Sequence, residues 1–177
     1  MVTARRVGNR KICQPEIFYF AYGSNLDWQQ FRQHCPMARY VDRALLPGHR
    51  LAFTRYSVYW QGGVADVMPQ PGAQVWGVIY QLRPRSLAAL DPYEGYYPGR
   101  RHNAYLRQEA VVWRQGNPEL PTKVWLYRAV WERDFIAPSH RYKETIRRGA
   151  VFWGLPHYYL KEVIDPIPCL EDLEITV

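Results

Sequence analysis

Two short segments of this chain combine residue types and spacing that could do chemistry. The first is Leu90-Asp91-Pro92-Tyr93-Glu94-Gly95, where two carboxylates lie three residues apart among Tyr93, Tyr96 and Tyr97. A Glu beside Gly in an aromatic loop is open to partial desolvation. Desolvation disfavours the charged form and raises the pKa towards the range useful for proton transfer. Taken alone, such a Glu is also an ordinary solvated loop acid, and Asp91 has a simpler use in capping the helix-to-loop turn ahead of Pro92. The second segment is Tyr19-Phe20-Ala21-Tyr22-Gly23-Ser24-Asn25-Leu26, an aromatic run that stops at Gly, Ser and Asn. Gly23 lets a ligand approach the main chain closely, and successive backbone N–H groups near a helix start can hold a carboxylate or a developing oxyanion. An ordinary strand-to-helix turn is the structural alternative. Ser24 lacks a G-x-S-x-G setting and any His or Asp spacing that would make it a nucleophile.

The elements around these segments follow from pattern and punctuation. Ile17 to Tyr22 reads as a short buried strand, and Asp27 as the cap of a helix reaching towards Gln33 before Pro36. Strands are expected at Tyr40 to Leu46, Arg50 to Tyr59, Val64 to Met68 and Gln74 to Leu82, separated by Pro47-Gly48, Gly62-Gly63 and Pro69 to Gly72. A short helix, Ser86 to Leu90, starts near Pro84, and the loop from Asp91 to Arg101 carries Glu94. His102 to Trp113 and Lys123 to Val130 read as strands around the turn Gln115 to Pro118. Ser139 can cap the one long helix, Ser139 to Trp153, with Tyr142, Ile146, Ala150 and Trp153 on one face. A last helix spans about His157 to Ile164. Six or seven mostly hairpin-connected strands with short links leave no room for repeated βαβ units. The expected fold is α+β: a small mixed, mainly antiparallel β-barrel with a few flanking helices.

Composition narrows the function classes. The 177 residues fit one domain, and 47% hydrophobic content with 15% aromatics supplies a single large core. The expected organisation is a mobile basic tail over residues 1–15, a domain over 16–168 and a C-terminal tail over 169–177. No apolar run approaches the roughly 20 residues of a membrane span, and no apolar stretch follows the basic start as a signal peptide requires. A cytoplasmic protein, monomeric or homodimeric, is the expectation. The three cysteines and five histidines are scattered, so neither a disulfide framework nor a metal site is expected. The net charge of +7 is spread along the chain, apart from Arg5, Arg6, Arg10 and Lys11, without a nucleic-acid-binding motif. A solvated basic surface is the expectation, and nucleic acid is not an expected partner.

The two chemical segments, taken in order, resemble the γ-glutamylcyclotransferase family, whose members carry a Tyr-Gly-Ser-Asn turn after the first strand and a later Leu-Asp-x-x-Glu-Gly element. They stand here as Tyr22-Gly23-Ser24-Asn25-Leu26 and Leu90-Asp91-Pro92-Tyr93-Glu94-Gly95. Gly62-Gly63-Val64-Ala65-Asp66-Val67 and Val75-Trp76-Gly77-Val78-Ile79-Tyr80 are similar to the family's central strands. Pro138-Ser139-His140-Arg141-Tyr142-Lys143 and Gly154-Leu155-Pro156-His157-Tyr158-Tyr159 are similar to its C-terminal helical region. The resemblance implies a barrel in which turn and acid face each other across one cavity. It implies Glu94 as the catalytic acid/base, and Tyr19, Phe20, Ala21, Tyr22, Gly23 and Ser24 as the segment binding a γ-glutamyl group. It further implies Tyr142 and Tyr105 as ligand contacts, and no metal or organic cofactor. The implied partner is a small γ-glutamyl compound, cyclised to 5-oxoproline with release of its amine. Arg100 and Arg101 in the following loop suggest, by charge, a leaving group bearing a carboxylate. The alternative is a non-catalytic small-ligand-binding domain on the same scaffold.

Overall fold

The first strand forms because Ile17 to Ala21 is an uninterrupted apolar run; Tyr19 and Phe20 point to opposite faces, and both are buried, so the strand is covered on both sides. In the computed structural model, which describes residues 16–174, β1 (Ile17–Ala21) joins β2 (Arg39–Ser57), β3 (Gly62–Leu82), β4 (Tyr105–Arg114) and β5 (Pro121–Ala129) in a closed barrel ordered β1-β3-β2-β4-β5. Four of the neighbouring pairs are antiparallel, and β1 closes on β5 in parallel, so the barrel is mixed and mainly antiparallel as expected. The expected basic tail, residues 1–15, lies outside the described residues.

Six or seven strands were expected, and the described chain has five longer ones. The difference lies in the Pro/Gly clusters at 47–48 and 69–72. In the paired ribbon of β2 and β3 they stand opposite one another: Pro47 aligns with Gln74 and His49 with Pro69, with a register shift between. Both strands therefore bend together at a bulge, which tolerates a proline lacking an N–H, and neither ends. The fourth strand starts at Tyr105 rather than at His102 because Ala104 N–H donates to Gly95 O at 3.0 Å, which ties residues 102–104 to the loop after Glu94.

The helices cover the barrel. Asp27 caps α1 (Trp28–His34) by accepting from Gln30 N–H at 3.0 Å, and Ser139 caps α3 (His140–Phe152) by accepting from Tyr142 N–H at 3.4 Å. Between them in the chain, α2 (Pro84–Leu90) begins on Pro84 itself, two residues before the expected start at Ser86. Phe31 stacks on Tyr80 of β3 at 4.3 Å, Trp28 stacks on Tyr80 at 5.7 Å, and Trp28 meets Trp153 edge-on at 5.8 Å. This aromatic wedge locks α1 and the end of α3 onto one strand. The final expected helix is a short α4 (His157–Tyr159) that widens into a π-type turn, Leu160–Ile164. Within the segment expected as a C-terminal tail, 169–177, α5 (Leu170–Glu174) forms, because Leu170 N–H donates to Pro138 O and Asp172 accepts from Cys169 N–H at its start. Among the described residues no helix is long and apolar enough to cross a membrane.

Candidate active site

At the end of β1 the chain turns through a single 3₁₀ turn, Ser24–Leu26. Gly23 keeps this corner uncrowded: a Cβ at this position would lie 3.1 Å from Ala65 Cβ and 3.2 Å from the Tyr142 hydroxyl, so these neighbours would have to give by a few tenths of an ångström. The first amide to bond within the turn is that of Leu26, which donates to Gly23 O at 2.9 Å. Those of Ser24 and Asn25 precede it and have no acceptor within the turn. Helix α3 backs the turn: Trp153 Nε1 donates to Leu26 O at 2.9 Å, and Arg148 Nε donates to Asp27 Oδ2 at 2.6 Å.

Glu94 reaches the same place from the other side. The loop after α2 folds back through Glu94 N–H to Leu90 O, Gly95 N–H to Pro92 O and Tyr96 N–H to Asp91 O. Gly95 has a φ of 62°, and a Cβ on it would come within 2.8 Å of Ala104 Cβ, so both conformation and space demand glycine beside the acid. Asn25 Nδ2 donates to Glu94 Oε1 at 2.7 Å and to the Tyr19 hydroxyl at 2.8 Å, joining turn and acid directly. Burial pushes the Glu94 carboxyl up to about 7; the Asn25 bond opposes that rise and the neighbouring Asp91 charge adds to it.

Asp91 does not cap the loop with its side chain. It is buried, takes Arg107 Nη1 on both oxygens at 3.0 and 2.8 Å, and accepts from the Tyr127 hydroxyl at 2.6 Å. The ion pair pins the Glu94 loop to β4 and β5. Asp91→Asn leaves the Arg107 guanidinium without its counter-charge, and the unfolding free energy in urea is expected to fall by about 2–3 kcal/mol. An unchanged midpoint and slope would show that the pair does not hold the loop.

Two tyrosines complete the wall by gripping one residue. Tyr142 accepts from Ala65 N–H at 3.0 Å, and Tyr105 donates to Ala65 O at 2.9 Å. Burial pushes the Tyr142 phenol up to about 12 and the Tyr105, Tyr19 and Tyr22 phenols well above their usual value. These phenols stay protonated at neutral pH, whereas Glu94 titrates there. Two adjoining cavities share Ser24, Asn25, Glu94, Tyr105 and Tyr142. The outer is a cleft of about 510 Å³; the inner, a recess of about 30 Å³, is also lined by Tyr19, Tyr22 and Gly23.

Of the residues singled out in the sequence, the structure brings Glu94, Tyr19, Tyr22, Gly23, Ser24, Tyr105 and Tyr142 to these cavities. Phe20 and Ala21 are buried in the core opposite Ile79 and Val78 and line neither cavity. Arg100 and Arg101 line neither as well; both are exposed, and Arg100 stacks on Tyr97 at 3.9 Å. Among the described residues, the guanidinium that lines the cleft is that of Arg55. Asn25 stands in the turn motif with no role assigned from sequence, and Arg55 and Trp60 carry no signal there beyond their place near the end of a long strand. His140, Cys169 and Asp172 bring potential metal-ligand atoms within 4.8 Å of one another, and none of the three lines either cavity. Asp172 there caps α5 and pairs with His140 Nε2 at 2.9 Å.

Comparison with known proteins gives the family. The family model described as gamma-glutamyl cyclotransferase, AIG2-like, matches residues 19–144. A curated γ-glutamylcyclotransferase of Bos taurus is 32% identical over 149 residues, covering 82% of this chain and 76% of that protein. That of Homo sapiens is 31% identical over 154 residues, covering 85% and 78%. A solved structure of a γ-glutamyl cyclotransferase superposes with a TM-score of 0.78 at 28% identity, over 91% of this chain and 98% of the other. The chain therefore belongs to the γ-glutamyl cyclotransferase, AIG2-like family and is an enzyme of the γ-glutamylcyclotransferase type.

Proposed function

We propose that this enzyme cyclises the γ-glutamyl group of a small γ-glutamyl compound to 5-oxoproline and releases the amine, with Glu94 moving the proton. The observation that carries this reading is a single carboxylate poised near neutrality at the junction of two cavities, held by Asn25 from the facing turn. In the substrate the α-amine nitrogen attacks the δ-carbonyl carbon of the same molecule. A five-membered lactam forms, the amide C–N bond breaks, and the departing nitrogen gains the two protons that the attacking nitrogen loses. Atoms balance with no co-reactant. Because the nucleophile is tethered, the protein's task is to fold the substrate and exclude other poses. Glu94 relays to the leaving nitrogen the two protons that the α-ammonium sheds in becoming the lactam N–H, so the amine departs as its ammonium. Each positioned transfer is worth about 10²–10⁴-fold.

The remaining groups support binding and charge. The turn amides of Ser24 and Asn25 are assigned to the γ-glutamyl group and its attacked oxygen, a stabilisation of about 3–4 kcal/mol per donor. Tyr142 and Tyr105, kept protonated by burial, present hydroxyls to the same space, and Tyr19 and Tyr22 close the recess. Phe20 and Ala21 contribute by fixing the strand that carries the turn. All these residues lie on one chain, so a monomer suffices. The free buried thiols of Cys35 and Cys169 suit the reducing cytoplasm. Incubation with γ-glutamyl amides is expected to release 5-oxoproline and the free amine in equal amounts by mass spectrometry. Hydrolysis to glutamate, or no product, would overturn the assignment.

A further inference from the structure

The outer cleft, at about 510 Å³, falls in the range of pockets that take drug-sized ligands, and a γ-glutamyl head fills only part of it. What lines the remainder is distinctive. Tyr56, Tyr59 and Trp60 come from the end of β2 and its turn into β3, and Tyr93 comes from the Glu94 loop. Tyr56, Tyr59 and Tyr93 are 48%, 72% and 65% exposed, an unusual outlay of aromatic surface at one cleft. Trp60 and Tyr93 are also held in place. Ser139 Oγ donates to Trp60 O at 2.6 Å, the Arg141 guanidinium lies 4.9 Å from the Trp60 ring, and Tyr93 stacks on His34 at 3.9 Å.

The charge inventory is equally restricted. Glu94 is the one carboxylate among the residues described as lining the cleft, and Arg55 the one guanidinium. Burial lowers the His34 imidazole below its usual value, which keeps it neutral. Arg55 is anchored through Nη1, which donates to Val130 O and pairs with Glu132 Oε1, both at 3.1 Å; its other donors take no part in those bonds. Glu132 does not line the cleft.

We propose that the outer cleft is a leaving-group subsite selecting an aromatic α-amino acid with a free carboxylate. Arg55 takes the carboxylate, and Tyr56, Tyr59, Trp60 and Tyr93 enclose the ring. The inference rests on the cyclotransferase reading and deepens it. A cationic amine such as a polyamine would meet Arg55 with no carboxylate but Glu94 to receive it. A small side chain would leave the aromatic wall in water.

The test is kcat/KM for γ-glutamylphenylalanine, γ-glutamylalanine, γ-glutamyl phenethylamide and γ-glutamylputrescine, read as 5-oxoproline. The phenylalanine compound is expected first, losing the ring or the carboxylate costs about 10–100-fold each, and putrescine comes last. Arg55→Gln is expected to penalise the phenylalanine compound at least about tenfold more than the phenethylamide, through KM, because only the former carries the carboxylate. Trp60→Ala narrows the preference for phenylalanine over alanine. Thermal melts confirm folding, and Arg55→Lys, which keeps charge without the fork, serves if Arg55→Gln does not fold. Preference for putrescine or alanine, or an equal Arg55→Gln effect on both aromatic compounds, overturns the subsite alone. No product from any compound overturns the cyclotransferase reading together with it.

Discussion

Glu94→Gln is expected to lower kcat for 5-oxoproline release by about 10²–10⁴-fold while the barrel still folds and substrate still binds. The substitution is nearly isosteric, and a Gln carbonyl oxygen can accept the Asn25 Nδ2–H bond that Glu94 Oε1 accepts at 2.7 Å. What disappears is a group that can take and return a proton. Calorimetric substrate binding with silent turnover separates loss of chemistry from loss of the site, and full activity would sink the role assigned to Glu94. The pH profile carries the same signature. With the carboxyl pushed up to about 7, the base form is depleted below neutrality, so kcat/KM of the wild type falls about tenfold per unit below pH 7.

Stability changes with pH in a sense that the same group dictates. The folded-state pKa is raised above the ordinary carboxylate value, so folded protein keeps its proton while unfolded chain releases it between about pH 4.5 and 7. Stability contributed by the neutral form is complete below pH 4.5 and lost as pH rises through 7. Glu94→Gln lacks this loss. Urea melts are expected to show the variant more stable than wild type at pH 8, by up to roughly 3 kcal/mol, with the gap closing at pH 4. A gap of the opposite sign would mean that Glu94 is held charged by partners and is a poor proton carrier at neutrality.

Much of this site was legible in the sequence, for identifiable reasons. Gly95 flags a position where a side chain cannot fit and Gly23 one where it would crowd its neighbours, and each stands beside a group that lines the cavities. Caps at Asp27 and Ser139 are local signals, so the helices that place the turn and Tyr142 could be read directly. Long-range pairing was not legible. Pro47 and Pro69 look like strand ends along the chain, and only the pairing of two strands that both bend there turns them into a bulge. Asp91 reads as a turn residue because its Arg107 partner lies 16 positions on, in a different strand. Arg100 and Arg101 drew attention by proximity to Glu94 in sequence, while Arg55, far off in sequence, is the guanidinium at the cleft. Charge near a catalytic residue in sequence says little until the sheet is closed.

Gly149→Ala tests how closely helix α3 must approach the site. Helix propensity argues for the substitution, since Ala in a helix interior is favoured over Gly by about 1 kcal/mol. Packing argues against it. A Cβ on Gly149 would lie 2.4 Å from the Leu26 carbonyl carbon and 2.6 Å from both Leu26 O and Cβ. Two of those atoms are backbone in the 3₁₀ turn, and Leu26 O already accepts from Trp153 Nε1, so no rotamer change relieves the clash. Helix and turn must separate. Overpacking of this kind costs about 1–3 kcal/mol, and with rigid backbone as the obstacle the upper end applies, so net destabilisation of about 2 kcal/mol is expected in denaturant melts. The functional effect is larger. Tyr142 rides on α3, while Asn25 and the Ser24 amide ride on the turn, so moving one past the other disturbs the Ala65 and Glu94 contacts together. A displacement near 1 Å is expected to lower kcat about 10²-fold under conditions where the variant is fully folded. Raised stability with intact turnover would mean that propensity wins and that α3 does not set the position of the turn.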